Sequence, residues 1–480
     1  MNYSAIIYIL GWIFNIEALT MLMPCLVALI KHEGEGIGFL IVMLVSAVVG
    51  LLITIRKPKN MRFYVKEGFV TVALSWILMS VVGCLPFVIN GDIPKFTDAL
   101  FETVSGFTTT GASILSDIES LSRCSLFWRS FTHWIGGMGV LVFILAVIPM
   151  AGGTRMNLMK AESPGPSVGK LVPKVKQTAM ILYIIYIVLT VLEILFLLAG
   201  HMPLFEAVTT AFGTAGTGGF AIRNDSLMSV SPYLQWVVTV FMILFGVNFN
   251  VYFLLIMFKF GAAFKHEELR TYFGIILAST VIIFINLSHV FTNWTDRLRH
   301  TVFQIGSMMT TTGFSSCDFD LWPETSKTVL LMLMVIGACA GSTGGGVKVS
   351  RVIIGIKSVF KELTSYLHPR SVKKVKMDGK LIEHEVIRAT NVYFVTYIMI
   401  FFVSVLLVSI EDKSMVTNFT SVVATLNNVG PGFDGVGPTM NYGGFTALSK
   451  YVLIFDMLAG RLELFPILML LCPPIWKKKN

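Results

Sequence analysis

Four short stretches set glycine beside small hydroxyl or amide side chains: Phe107-Thr-Thr-Thr-Gly111, Ala215-Gly-Thr-Gly-Gly219, Met309-Thr-Thr-Thr-Gly313 and Asn427-Asn-Val-Gly-Pro431. A bare cation leaving water needs oxygen ligands in place of its hydration shell, and backbone carbonyls supply them without fixed negative charge. Several carbonyls can turn to one axis only where the backbone takes unusual angles, which glycine adopts at low cost. A neighbouring threonine hydroxyl adds an oxygen or braces the turn. Aligned on Gly111, Gly218, Gly313 and Gly430, the stretches recur at spacings of 107, 95 and 117 residues. The expected ligand groups are Thr109, Thr110 and Gly111; Gly216, Thr217 and Gly218; Thr311, Thr312 and Gly313; and Asn428, Val429 and Gly430. Four glycine helix caps are the plainer reading, but caps do not call for threonine just before glycine in three of four copies.

Each stretch ends a short apolar segment, at 96–107, 204–213, 298–309 and 416–426, about half the length that spans a bilayer. Each such segment lies between longer ones. Ten stretches reach spanning length: 4–30, 37–55, 68–90, 125–149, 178–200, 233–258, 272–291, 328–350, 389–410 and 449–472. A short helix followed by irregular backbone at membrane depth is tolerated only when buried in protein or lining a water-filled path. Amphipathic surface segments are the alternative for any one of them, but not readily for four copies in equivalent places. The expected architecture is an all-α membrane protein of four helix–pore-loop–helix repeats around one central pore, with two extra N-terminal transmembrane helices. The boundaries are 1–60 for the extra helices, then 61–155, 170–265, 268–365 and 385–476 for the repeats, the third with a broken second helix.

Composition sets the class. Of 480 residues, 55% are hydrophobic and 14% charged, against about 25% charged in an average soluble domain, and the mean hydropathy is +0.76. A soluble chain of this length could not bury so much apolar surface. The net charge of +9 is not a nucleic-acid signal, because the basic residues sit between apolar runs. Six scattered cysteines without a CxxC pair argue against a disulfide framework or a zinc site. The first apolar segment lacks a basic start and is too long for a cleavable signal, so it reads as a spanning helix. With the termini inside and the four turns facing out, 26 of the 37 Lys and Arg fall on inner loops, as the positive-inside rule requires. The outer side then carries Glu102, Asp117, Glu119, Glu206, Asp225, Asp318, Asp320, Glu324, Glu411, Asp412 and Asp434, either a rim that enriches cations or ordinary solvated loops.

Two further features sit inside spanning segments. Gly341-Ser342-Thr343-Gly344-Gly345-Gly346 interrupts the eighth, since each glycine costs a helix about 1 kcal/mol relative to alanine. The freed backbone needs partners, which favours a place facing the pore; close packing through small residues is the alternative. The run is not a phosphate-binding loop: Val347 stands where the lysine belongs, Lys348 is one place late, and no strand precedes it. Arg461 lies within the tenth segment, where a charge is costly and usually marks a pathway. An ion pair with Asp456 or Glu463 is the structural alternative. Glu17 and Glu193 read as packing partners, and Lys348, Arg351 and Lys357 as anchors at the membrane edge.

The chain resembles the Trk-type potassium uptake proteins, the TrkH/TrkG branch of the Trk/Ktr/HKT superfamily. The resemblance rests on Phe101-Glu-Thr-Val-Ser-Gly-Phe-Thr-Thr-Thr-Gly111, Trp134-Ile-Gly-Gly-Met-Gly139, Glu162-Ser-Pro-Gly-Pro166, Thr217-Gly-Gly-Phe220, Cys339-Ala-Gly-Ser-Thr-Gly-Gly-Gly346, Asn427-Asn-Val-Gly-Pro-Gly432 and Gly460-Arg-Leu-Glu463, which span nearly the whole chain. It implies potassium as the transported ion, a homodimer in the cytoplasmic (inner) membrane among its lipids, and a cytosolic nucleotide-binding regulatory subunit. No nucleotide is expected on this chain and no nucleic-acid partner. It also implies that 341–346 is a gating loop below the filter and that Arg461 projects into the pore as an electrostatic barrier. Glycine in all four loops implies potassium rather than sodium; Gly216 and Asn428-Val429 depart from the usual Ser or Thr pattern. A secondary transporter of another small substrate, coupled to protons or sodium, is the alternative function, though such folds usually show two inverted repeats. An enzyme is not expected: the sequence has no HExxH motif, no Ser/His pair and no carboxylate dyad at useful spacing.

Overall fold

A computed structural model describes residues 1–59, 64–147, 175–369 and 374–476. The Glu162-Ser-Pro-Gly-Pro166 stretch and most of the basic loop around it lie outside the described residues, as do Arg62, Arg370, Lys373 and the lysines at 477–479. The described chain is helical apart from one hairpin, in which Lys376–Met377 pairs antiparallel with Lys380–Leu381 across Asp378 and Gly379 at positive φ.

Two helices open the chain, Tyr3–Lys31 and Gly36–Thr54, packed along each other. Asn2 caps the first by accepting the Ala5 N–H at 3.2 Å, and His32 ends it in the left-handed conformation. Glu33, between the two, accepts the N–H groups of Arg123 and Cys124 at 2.9 Å each. The N-terminal pair is thereby fastened to the start of the helix Arg123–Val147.

The rest follows one order four times: a long helix, a half-length helix, a turn, and a second helix. The long helices are Val65–Asn90, Val175–Ala199, Glu267–Asn286 and His384–Val408. The half-length helices are Phe96–Phe107, Leu204–Ala215, Trp294–Met309 and Met415–Leu426. Their inner halves are almost wholly buried, because each packs between longer helices of its own and neighbouring repeats.

Two of the second helices depart from expectation, and a third is broken as expected. The stretch 233–258, read as one span, is two helices, Pro232–Phe245 and Phe249–Ile256, bent by 91° at a break capped by the Asn248 side chain. The stretch 328–350 ends as helix at Ile336, and Val349–Leu367 starts a new one. The stretch 449–472 stops at Arg461 and resumes at Phe465, with Glu463 and Leu464 at positive φ. Sequence periodicity marked only the middle break, because the other two carry no glycine cluster. These breaks shorten the apolar helices. Six described helices are long and apolar enough to cross a membrane, and a seventh if the bent pair is one span, against ten expected segments. The chain is an all-α, multi-pass membrane protein.

Candidate functional site

The four turns share one backbone path. After each half-length helix, positive φ falls on Thr109 and Gly111, on Thr217 and Gly219, on Thr311 and Gly313, and on Asn428 and Gly430. Between them, Thr110, Gly218, Thr312 and Val429 each donate their N–H five residues back, to Ser105, Gly213, Ser307 and Ala424, at 2.8–2.9 Å. This corrects the register of the second turn. Gly219, not Gly218, is the counterpart of Gly111, Gly313 and Gly430, and the second group is Thr217, Gly218 and Gly219, with Gly216 closing the helix beneath it. Two adjacent glycines leave that register ambiguous in the sequence; the backbone angles resolve it.

The turns also touch in cyclic order. A Cβ on Gly111 would lie 1.9 Å from the Gly218 carbonyl oxygen, one on Gly219 1.9 Å from that of Thr312, one on Gly313 2.1 Å from that of Val429, and one on Gly430 2.7 Å from that of Thr110. First meets second, second meets third, third meets fourth, and fourth meets first. The contact uses the same pair of positions each time, so the ring is closed and pseudo-fourfold. Only glycine fits, since φ is positive and the neighbouring carbonyl occupies the place of a side chain. Behind the ring, hydroxyls brace the turns in pairs, Thr108 with Thr110 at 2.8 Å and Thr310 with Thr312 at 2.7 Å. The fourth turn has no such pair; instead the Asn428 amide donates to Thr110 Oγ1 and to the Met457 carbonyl, both at 2.9 Å, and so closes the seam to the first turn. All four helices point their C-terminal, partially negative ends at the ring.

On one side of the ring lies a cavity lined by Gly111, Gly219, Gly313 and Gly430 together with Arg129 and Arg223. None of the expected rim acids lines it among the described residues. Glu102 is buried in a pair with Arg129 at 2.7 Å, Glu206 pairs with Arg223 at 2.7 Å, and Glu411 accepts the Thr446 N–H at 2.8 Å. Asp434 accepts the hydroxyls of Ser414 and Thr417, which hold its carboxyl below the usual carboxylate range. These acids serve local structure. Arg129 is buried over the Phe220 ring, 4.2 Å from its centroid, and donates to the Ala221 carbonyl at 3.2 Å.

On the other side lies the interrupted second helix of the third repeat. Residues 337–348 run irregularly beneath the third and fourth turns. Gly345 donates its N–H to Thr311 Oγ1 at 2.6 Å, and Gly346 to the Asn427 carbonyl at 3.0 Å. The loop is bound to the break in the second repeat as well: Cys339 N–H to Gly246 O at 3.1 Å, and Phe249 N–H to Gly341 O at 3.0 Å. Ser342 bonds back to Cys339 O, and Thr343 Oγ1 reaches Phe245 O at 3.3 Å. Glu268, 1% exposed, accepts the N–H groups of Ala340 and Ser350 at 2.7 and 3.2 Å and the Asn248 amide at 3.2 Å, so one carboxylate holds both ends of the loop and the neighbouring break.

Arg461 reaches the same level. It donates to the Thr343 carbonyl at 2.9 Å and to the Gly136 carbonyl, bridging the loop to the helix Arg123–Val147. The expected alternative, an ion pair with Asp456 or Glu463, is not present among the described residues. Asp456 accepts the Ser404 hydroxyl at 2.7 Å, and Glu463 pairs with Arg351. Two supposed membrane anchors prove to be part of this assembly: Lys348, 3% exposed, donates to Gly344 O, and Arg351 lies over the Tyr393 ring at 3.9 Å. Lys357, by contrast, bonds Glu267 and the Lys376 carbonyl near the hairpin. Glu17 and Glu193 are both buried.

A family profile described as TrkH, cation transport protein, matches residues 37–476. The chain is 35% identical over 487 residues to the Trk system potassium uptake protein TrkH of Salmonella typhimurium, all of both chains being covered. It is 30% identical over 483 residues to the Trk system potassium uptake protein TrkG of Escherichia coli, with 99% of each covered. The crystal structure of the potassium transporter TrkH from Vibrio parahaemolyticus matches with a TM-score of 0.88 and 32% identity, over 99% of this chain and 100% of that one.

Proposed function

The chain belongs to the TrkH family of cation transport proteins, and from that premise we propose that it takes up potassium across the cytoplasmic membrane along the axis of the four-turn ring. The family is one of transporters, not enzymes. The observation that carries the reading is the cyclic contact of four equivalent glycines with four equivalent carbonyls. Ligand oxygens would come from Thr109 to Gly111, Thr217 to Gly219, Thr311 to Gly313 and Asn428 to Gly430, with the helix C-termini adding a field that favours a cation. The cavity lined by the four glycines is then the outer mouth, and the termini lie inside.

The loop containing Gly341, Ser342, Thr343, Gly344, Gly345 and Gly346 blocks the path just inside the filter. Arg461 adds positive charge at the same depth, and a guanidinium stays protonated even when poorly solvated. The working unit is a homodimer regulated by a cytosolic nucleotide-binding subunit. The four repeats form one pore per chain, at 61–155, 170–265, 268–365 and 385–476. No observation favours coupled transport of another substrate. Tracer uptake into liposomes holding the purified chain tests the reading. Rubidium and potassium should enter well ahead of sodium; equal entry of all three, or none above empty liposomes, would overturn it.

A further inference from the structure

The four turns are alike in path but not in what lies beneath them. At the position of positive φ, the first three carry threonine, at 109, 217 and 311, with φ of 53°, 53° and 58°. A β-branched residue is strained in that region, so each turn needs support from its surroundings to hold it. The three hydroxyls meet different fates. Thr109 Oγ1 is buried and has no hydrogen-bond partner among the described residues. Thr217 Oγ1 bonds the adjacent Gly216 carbonyl at 2.6 Å. Thr311 Oγ1 accepts the N–H of Gly345, in the intramembrane loop, at 2.6 Å. One residue along, the loop's Gly346 N–H bonds the carbonyl of Asn427, which caps the half-length helix of the fourth repeat. The fit is close: a Cβ on Gly345 would lie 2.3 Å from that same carbonyl.

We propose that Thr311 couples the filter to the gate: the loop seats by hydrogen bonding to the strained third turn, and the turn keeps its ring geometry in part because the loop is seated. This rests on the filter-and-gate reading above. Moving the loop off the axis breaks the Gly345–Thr311 and Gly346–Asn427 bonds together, so gate opening loosens two of the four turns. Coupling between two sites is reciprocal. A cation that fits the ring must therefore favour the seated loop, and a loosened loop must weaken ion discrimination.

The ring supplies its own control. Thr311→Val and Thr109→Val remove the same hydroxyl at equivalent positions, so any direct cost to ion binding is common to both. Only Thr311→Val also removes one of the bonds that seat the loop. With the full chain alone in liposomes, Thr311→Val should raise rubidium uptake about fivefold over Thr109→Val, the effect of about one net hydrogen bond. It should also lower the rubidium-over-sodium ratio further. Thr311→Ser keeps the acceptor oxygen and should recover most of the difference between Thr311→Val and Thr109→Val. Equal uptake and equal ratios for the two valine variants would overturn the coupling. Should Thr311→Val not fold, the wild type answers by amide hydrogen exchange across 341–348: exchange should be slower in potassium than in sodium, and identical exchange would overturn the proposal. A wild type and a 341–346 deletion that both pass no rubidium would instead fail the pore reading.

Discussion

The second turn shows how one residue of register alters a site. Gly218 and Gly219 are chemically identical, yet only Gly219 has φ of 75° and faces the next turn's carbonyl at side-chain distance. A side chain in the left-handed region costs about 1–3 kcal/mol, and here it would also displace a carbonyl of the ring. Gly219→Ser and Gly111→Ser should therefore each lower the potassium-over-sodium uptake ratio roughly tenfold. A ratio unchanged in either variant would place that turn outside the filter. The Glu102–Arg129 pair belongs to the same scale. Both groups are buried, and the carboxylate also accepts the Ser113 hydroxyl and the Ile114 N–H at 2.9 Å. Arg129→Ala leaves the buried Glu102 carboxyl without its ion-pair partner, at a cost of about 3–5 kcal/mol. Thermal unfolding in detergent should show a clear loss of stability, and an unshifted midpoint would mean that water or another group replaces the guanidinium.

Among the elements, the interrupted second helices matter most. Breaks at Gly246–Asn248, 337–348 and 462–464 fall in three successive repeats, and the first two hydrogen bond to each other directly. Arg461 adds the third by bonding Thr343. The loop thus has a neighbour on each side that can hold or release it. If the loop closes the path as proposed, deleting 341–346, with its bonds to Thr311, Asn427 and Arg461, should raise potassium flux the most. Arg461→Ala removes one bond and the charge but leaves the loop in place, so flux should rise by less. Rubidium uptake by the two variants side by side checks the order; wild-type flux in both would make the loop a packing element and Arg461 a bridge between helices.

For the whole molecule, charge and connection point the same way. The hairpin at 376–381 is tied to the start of the helix Glu267–Asn286 by Glu267 N–H to Asp378 at 2.7 Å, and to the helix Val349–Leu367 by Lys357 to the Lys376 carbonyl at 2.8 Å. Val349–Leu367 continues directly from residues 337–348, so the hairpin is mechanically connected to the intramembrane loop. Lys374, Lys376 and Lys380 are exposed there. Attraction to lipid headgroups, about 1 kcal/mol per basic residue, is the competing role for such charges. Reversing these three to glutamate should abolish pull-down of a nucleotide-binding cytosolic subunit while the variant remains folded in the membrane. Undiminished capture would leave the lysines to the lipid.

Composition and periodicity by themselves determined that this is a helical membrane protein, because a chain with so few charges can hide its apolar surface only in lipid. They also located four short helices ending in glycine turns and one glycine-rich interruption, since these features are local: a helix too short to span, and a backbone that cannot stay helical. Only the tertiary structure decided the register of the second turn, the partners of Arg461 and the burial of Lys348 and Arg351. These depend on contacts between distant parts of the chain. Arg461 meets Thr343 118 residues away, Arg351 meets Glu463 across 112, and Asn428 meets Thr110 across 318. No window of sequence contains both members of such a pair, so whether a charge anchors a helix in lipid or locks a loop inside the protein is decided only when the four repeats close on one another.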